Sequence, residues 1–229
     1  AGLEILPVQE FMRQYFRHST AARYSSFQFF NDVRGNFEHR SFFDTWVGRR
    51  EEGHFLVTPR CVAVVKESMD LVKNDIELVL RLMEISNRSK RYIEQNTWRS
   101  IRNAMLKQTQ IIMSAEAKKN FMRILANPNR LPNLLRRLHE MNVLEKIIPA
   151  FRHARWLLQF NQYHKYTVDE HTLIAVEIIA GYQDDQTPVG QAYREGQRKD
   201  LLHLAMLLHD VGKGYTGDHS EVGAELAEQ

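Results

Sequence analysis

The sequence predicts an all-α fold of two helical lobes, with room for one short β-hairpin. Apolar residues recur at three- and four-residue spacing along most of the chain, helix-capping signals punctuate them, and strand-like composition is confined to one stretch. The 229 residues suffice for one large or two small domains at about 150 residues each. A hydrophobic content of 43% with 26% charged residues is that of a folding chain and excludes general disorder.

Taken in order, Val8, Phe11, Met12, Tyr15 and Phe16 share one helical face, and Pro7 suits a first turn. The stretch 35–53 is turn-rich and aromatic without a period. Residues 55–65 carry β-branched side chains broken by Pro59, which predicts a short hairpin at most. Asn74 and Glu77 frame a capping box for a helix to about Ile85. Thr97 is placed to cap a helix through Leu106, and Ser114 another through Leu125 that Asn127-Pro128 ends. A basic amphipathic helix over 131–141 and a short segment 143–148 before Pro149 complete a helical connector, residues 1–150. From Phe151 the composition shifts to aromatics and histidines, including Phe160, Tyr163, His164 and Tyr166, and a second domain is expected over 151–229.

Charge and cysteine usage narrow the function classes. Thirty-one basic and 28 acidic side chains give a net charge of +3, too near balance to mark a nucleic-acid binder. The basic pairs, such as Arg136-Arg137, read as solvated helix faces. With Cys61 alone, no intrachain disulfide can form, which fits a reducing, cytoplasmic setting. No apolar run approaches the roughly 20 residues of a membrane helix. The chain stops at Ala224-Glu225-Leu226-Ala227-Glu228-Gln229 within a helical pattern that has no stop signal, so a fragment is expected. Oligomeric state is not legible.

The chemistry concentrates at the end of the apolar run 201–208, where His209 and Asp210 stand side by side. An imidazole and a carboxylate set against hydrocarbon need a partner, and a divalent cation answers both. Upstream, Thr167-Val168-Asp169-Glu170 has the form of a capping box, which puts His171 in a first helical turn. Ala175, Ile178 and Tyr182 follow His171 at helical spacing, so it is expected on an inward stripe. Lys213 comes one turn after His209, Gly212 and Gly214 match a helix C-terminus, and Asp218 with Glu221 caps a further helix that starts at His219.

Taken singly, each residue has a plainer reading. A buried His is more often a hydrogen-bonded core residue, Lys213 suits a helix C-terminus, and His219 suits a surface. Together they form a candidate metal site of His171, His209, Asp210 and His219, with Asp210 and Lys213 as catalytic candidates. The donor set suits Mn²⁺, Fe²⁺, Zn²⁺ or, less well, Mg²⁺, with Mn²⁺ or Mg²⁺ the cofactor expected, and such a site would activate water against phosphorus while Lys213 neutralises a phosphate oxygen.

At these residues the chain resembles the HD-domain metal-dependent phosphohydrolases. The stretches Tyr166-Thr167-Val168-Asp169-Glu170-His171-Thr172, His209-Asp210-Val211-Gly212-Lys213-Gly214 and Gly217-Asp218-His219-Ser220-Glu221-Val222-Gly223-Ala224 look like the uridylyl-removing domain of the bifunctional PII uridylyltransferases. Residues 114–149 are similar to the connector preceding that domain, and Phe11-Met12-Arg13-Gln14-Tyr15-Phe16 to the helix after its transferase domain. The resemblance implies hydrolysis of the phosphodiester joining UMP to a tyrosine of the PII signal protein. It implies metal ligands at His171, His209, Asp210 and His219, a phosphate-side Lys213, and further ligands and glutamine-sensing domains beyond Gln229. Nothing in the chain matches the transferase's Gly-Ser loop with paired aspartates. Two other readings stay open: an HD hydrolase acting on a nucleotide, and a non-catalytic helical scaffold or RNA-facing connector built around the basic residues 130–137.

Overall fold

The computed structural model describes residues 7–35, 48–158 and 166–228. Phe160, Tyr163 and His164, and most of the turn-rich stretch after Gly35, lie outside them. Helices dominate, as the sequence predicts, joined by a small four-stranded sheet.

The described residues fall into two contact units. The larger spans 48–149 and 173–208, and the smaller comprises 7–35, 150–158, 166–172 and 209–228. In the larger unit, β1 (Arg49–Glu51), β2 (Phe55–Val57) and β3 (Cys61–Val64) form an antiparallel meander. β4 (Tyr92–Ile93) adds to it in parallel, pairing Val62 with Ile93. One hairpin was therefore too few. Pro59 sits in the turn between β2 and β3 rather than breaking a strand, and a two-residue β4 is too short to leave a period in the sequence.

The helices of this unit are α2 (Met69–Val72), α3 (Ile76–Arg88), α4 (Gln95–Met105), α5 (Ala115–Ala126), α6 (Leu131–Glu140) and α7 (Leu144–Ile147). α10 (Pro188–Glu195) and α11 (Lys199–Leu208) complete it. α5 packs against both α3 and α11, and the fully buried Leu80, Met83, Ile85, Ile124, Leu125 and Leu207 lie on these three helices. Asn87 ties the joint. Its buried amide donates to the carbonyls of Ile124 (3.0 Å) and Asn127 (2.8 Å), and its oxygen accepts from Arg130 N–H (2.8 Å), satisfying the chain reversal between α5 and α6.

Caps differ from expectation in two places. Asp75, not Asn74, caps α3 by accepting from Glu77 N–H at 2.8 Å. Thr97 lies inside the first turn of α4, where its hydroxyl accepts from Val64 N–H (3.2 Å) and donates to Glu94 (2.7 Å), so that it joins helix to sheet. Ser114 caps α5 as expected, accepting from Ala117 N–H at 3.0 Å. α10 is an addition, although Thr187-Pro188 signals its start: Thr187 is the cap and Pro188 the first residue.

The smaller unit contains α1 (Val8–Gly35), α8 (Phe151–Ala154), the first turn of α9 (Val168–Gly181) and α12 (His219–Glu228). Pro7 precedes α1, and its carbonyl accepts from Phe11 N–H at 2.9 Å. Among the described residues no helix is long and apolar enough to cross a membrane.

Candidate metal centre

Local structure delivers each side chain of the site. Thr167 carbonyl accepts the His171 N–H at 2.8 Å, fixing His171 in the first turn of α9. Asp169, buried beside it, accepts from Glu170 N–H (3.0 Å) and from Trp156 N–H (3.0 Å), tying the segment after α8 to the start of α9. α11 ends at Leu208, and residues 209–214 follow as consecutive turns, with Lys213 N–H donating to the Asp210 carbonyl at 3.1 Å.

Gly212 permits this close course. A Cβ there would lie 2.0 Å from the His219 carbonyl oxygen and 2.6 Å from Gly223 N, so only a residue without a side chain lets the turn lie against α12. Asp218 caps that helix as predicted, accepting from Ser220 N–H (2.8 Å) and Glu221 N–H (3.3 Å), and these backbone donors draw its carboxyl below the ordinary range.

Three of the predicted ligands come together. His171, His209 and Asp210 offer one donor atom each, all within 4.8 Å of one another. His171 Nε2 lies 3.5 Å and His209 Nε2 3.2 Å from Asp210 Oδ2, and Lys213 Nζ lies 2.8 Å from the same oxygen. The fourth, His219, is exposed on the first turn of α12 and is not one of this group.

Asp210 is the buried member, with an 8% exposed side chain, whereas those of His209 and His171 are 32% and 42% exposed. The doublet is thus half buried rather than buried. His171 does not follow the inward stripe predicted for it: the buried residues of α9 include Thr172, Leu173, Val176 and Ala180, while Ile178 is exposed. α9 is apolar on nearly every side, so spacing alone did not select its buried face.

Burial opposes ionisation of Asp210, yet close contact with His209 and Lys213 outweighs it and holds the carboxyl well below the usual carboxylate range. Its buried Oδ2 is the point on which Lys213 Nζ and the two imidazole nitrogens converge. A buried anionic oxygen facing two imidazoles, with one donor atom from each residue within 4.8 Å of the others, is a donor set that suits a borderline divalent cation. The residues therefore fit a metal ion, with three protein donors and room for further ligands.

Spacing did not reveal the surroundings of this group. His153 on α8 stacks on Tyr215, their ring centroids 4.1 Å apart. The shift toward aromatics and histidines after Phe151 was the available signal. His203, five residues before the last of α11, is fully buried; its Nδ1 donates to the Leu125 carbonyl (2.6 Å) and its Nε2 accepts from the Tyr193 hydroxyl (3.1 Å).

Residues 168–229 match the HD domain family. The bifunctional uridylyltransferase/uridylyl-removing enzyme of Cereibacter sphaeroides is 30% identical over 230 residues, covering 96% of this chain and 24% of that protein. The enzyme of that name from Novosphingobium aromaticivorans is 29% identical over 229 residues, or 96% of this chain and 25% of its own. That of Rhodopseudomonas palustris is 34% identical over 165 residues, 69% of this chain and 18% of its own. The chain thus spans a quarter or less of the length of these relatives. It carries an HD domain in its C-terminal part and is homologous, over most of its length, to one part of the bifunctional uridylyltransferase/uridylyl-removing enzymes.

Proposed function

We propose that this chain supplies the uridylyl-removing site of a cytoplasmic bifunctional enzyme, which hydrolyses the phosphodiester between UMP and a tyrosine of the PII signal protein. The observation that carries the reading is the convergence of His171, His209 and Asp210 within 4.8 Å, with Lys213 on the same carboxylate. In this reading residues 1–150 are the connector and 151–229 the N-terminal part of the HD domain. His171, His209 and Asp210 hold a divalent ion, Mn²⁺ or Mg²⁺ foremost, and His219 is an outlying fourth candidate.

When bound, the ion supplies Lewis acidity toward phosphorus–oxygen bonds and a nucleophile at neutral pH. The chain's own groups do the rest. Asp210, held anionic by His209 and Lys213, is available as a ligand at any physiological pH. Lys213, anchored on Asp210, offers its charge to a phosphoryl oxygen as negative charge grows there.

The test is release of UMP from uridylylated PII by the chain and by the longer protein, with Mn²⁺ and with EDTA. Release that depends on metal and disappears with Asp210→Ala supports the reading; no release by either protein overturns it. A panel of free nucleotides in the same assay weighs the nucleotide-hydrolase alternative.

A further inference from the structure

On the turn that follows the metal group the chain builds an aromatic pair that the chemistry above leaves unused. Tyr215 stands two residues beyond Lys213. The backbone between them turns tightly, with Lys213 N–H bonded to the Asp210 carbonyl at 3.1 Å and Tyr215 N–H to that of Gly212 at 3.4 Å. Two successive turns keep the Tyr215 backbone close to that of Lys213 and Asp210.

One side of that ring is covered by the His153 imidazole, centroids 4.1 Å apart and planes inclined by 36°, yet Tyr215 remains 40% exposed. Gly214, at φ +84°, holds the two segments together. A Cβ there would meet Leu157 Cδ2 at 2.5 Å and His153 Nε2 at 2.8 Å, so a side chain would pry the pair apart. His153 Nε2 is buried with no hydrogen-bond partner, an arrangement that makes sense for a ring placed for its face rather than its nitrogen.

The geometry points to Tyr215, backed by His153, as a stacking shelf for a flat aromatic ring carried by the phosphodiester that the metal group would hold. The inference rests on the hydrolase reading. Two rings on such a substrate have this chemistry, the nucleobase and the phenol to which the phosphate is joined. Either gains from a half-exposed aromatic face whose reverse side is already packed, because the platform loses little freedom when it is covered.

Calorimetric binding of UMP, phenyl phosphate and ribose 5-phosphate to the whole chain, wild type and Tyr215→Leu, tests the shelf. If the base lies on it, UMP binds about tenfold tighter than ribose 5-phosphate, and Tyr215→Leu removes that preference while Tyr215→Phe keeps it. If the phenol lies there, phenyl phosphate shows the preference instead. A preference that survives in Tyr215→Leu, or an equal loss for all three probes, overturns the proposal. The wild type decides without any variant, since no preference for either ring-bearing probe over ribose 5-phosphate also overturns it. Failed UMP release with an intact ring preference would sink the hydrolysis reading alone, and metal-dependent release without a ring preference would sink the shelf alone.

Discussion

Lys213 Nζ stands 2.8 Å from Asp210 Oδ2, so one ammonium and two imidazoles converge on a single buried oxygen. A divalent cation bound at Asp210 competes with that ammonium for the same charge. Lys213→Met is therefore expected to leave Mn²⁺ affinity unchanged or tighter, measured by calorimetry, while UMP release falls roughly 100-fold through loss of charge at the phosphate. Weaker Mn²⁺ binding in this variant would mean that Lys213 orders the ligands.

His171→Ala and His209→Ala each remove a donor from the group of three, whereas His219→Ala touches a residue outside it. Each of the first two should weaken Mn²⁺ binding by more than the roughly 10- to 100-fold typical of changes behind the ligands. His219→Ala should change it less than about threefold by the same scale. A loss in His219→Ala equal to the others would place that imidazole among the ligands.

His203 is held neutral, because burial depresses its pKa below the ordinary 6.5 and the Leu125 carbonyl raises it by less. Above the unfolded value neither state binds the proton. As pH falls below it, the unfolded chain is protonated first and stability is lost, by up to about 1.4 kcal/mol per pH unit until the folded pKa is reached. Thermal unfolding in EDTA should show the melting temperature of the wild type falling more steeply from pH 7.5 to 5.5 than that of His203→Gln. Parallel slopes would contradict this.

Asn87→Ala would strip three hydrogen bonds from the reversal between α5 and α6 and leave buried backbone groups unpaired. A cost of about 3 kcal/mol is expected from urea denaturation. A cost below about 1 kcal/mol would show that water or a shifted backbone replaces the amide.

Gly212→Ala sets a methyl against the backbone of α12, 2.0 Å from the His219 oxygen. The expected outcome is destabilisation of about 2 kcal/mol, since overpacking against main chain cannot be relieved by a rotamer change. Weakened Mn²⁺ binding is expected too, because the turn carrying Asp210 must move.

Much of this was legible because helix caps and metal-donor doublets are local signals. Ser114, Asp218 and the His209-Asp210 pair each declare themselves within a few residues; Ser114 and Asp218 cap their helices, and His209 and Asp210 lie together with His171. Side-chain direction was less legible wherever a helix is apolar all round: α9 turns His171 toward the half-exposed site rather than inward. Contacts distant in sequence left no periodic trace. The parallel pairing of β3 with β4, the bond from Asp169 to Trp156 and the stacking of His153 on Tyr215 all depend on which segments the fold brings together.

His171 and His209 stand on either side of residues 172–208, a stretch that contains most of α9 and all of α10 and α11. An ion that takes both imidazoles is then a removable clasp on a long loop, shrinking the unfolded chain's freedom as a cross-link does. Under the proposed reading, loading the site would in this sense also be a folding event, and divalent ion concentration would control how long the chain survives heat or a protease.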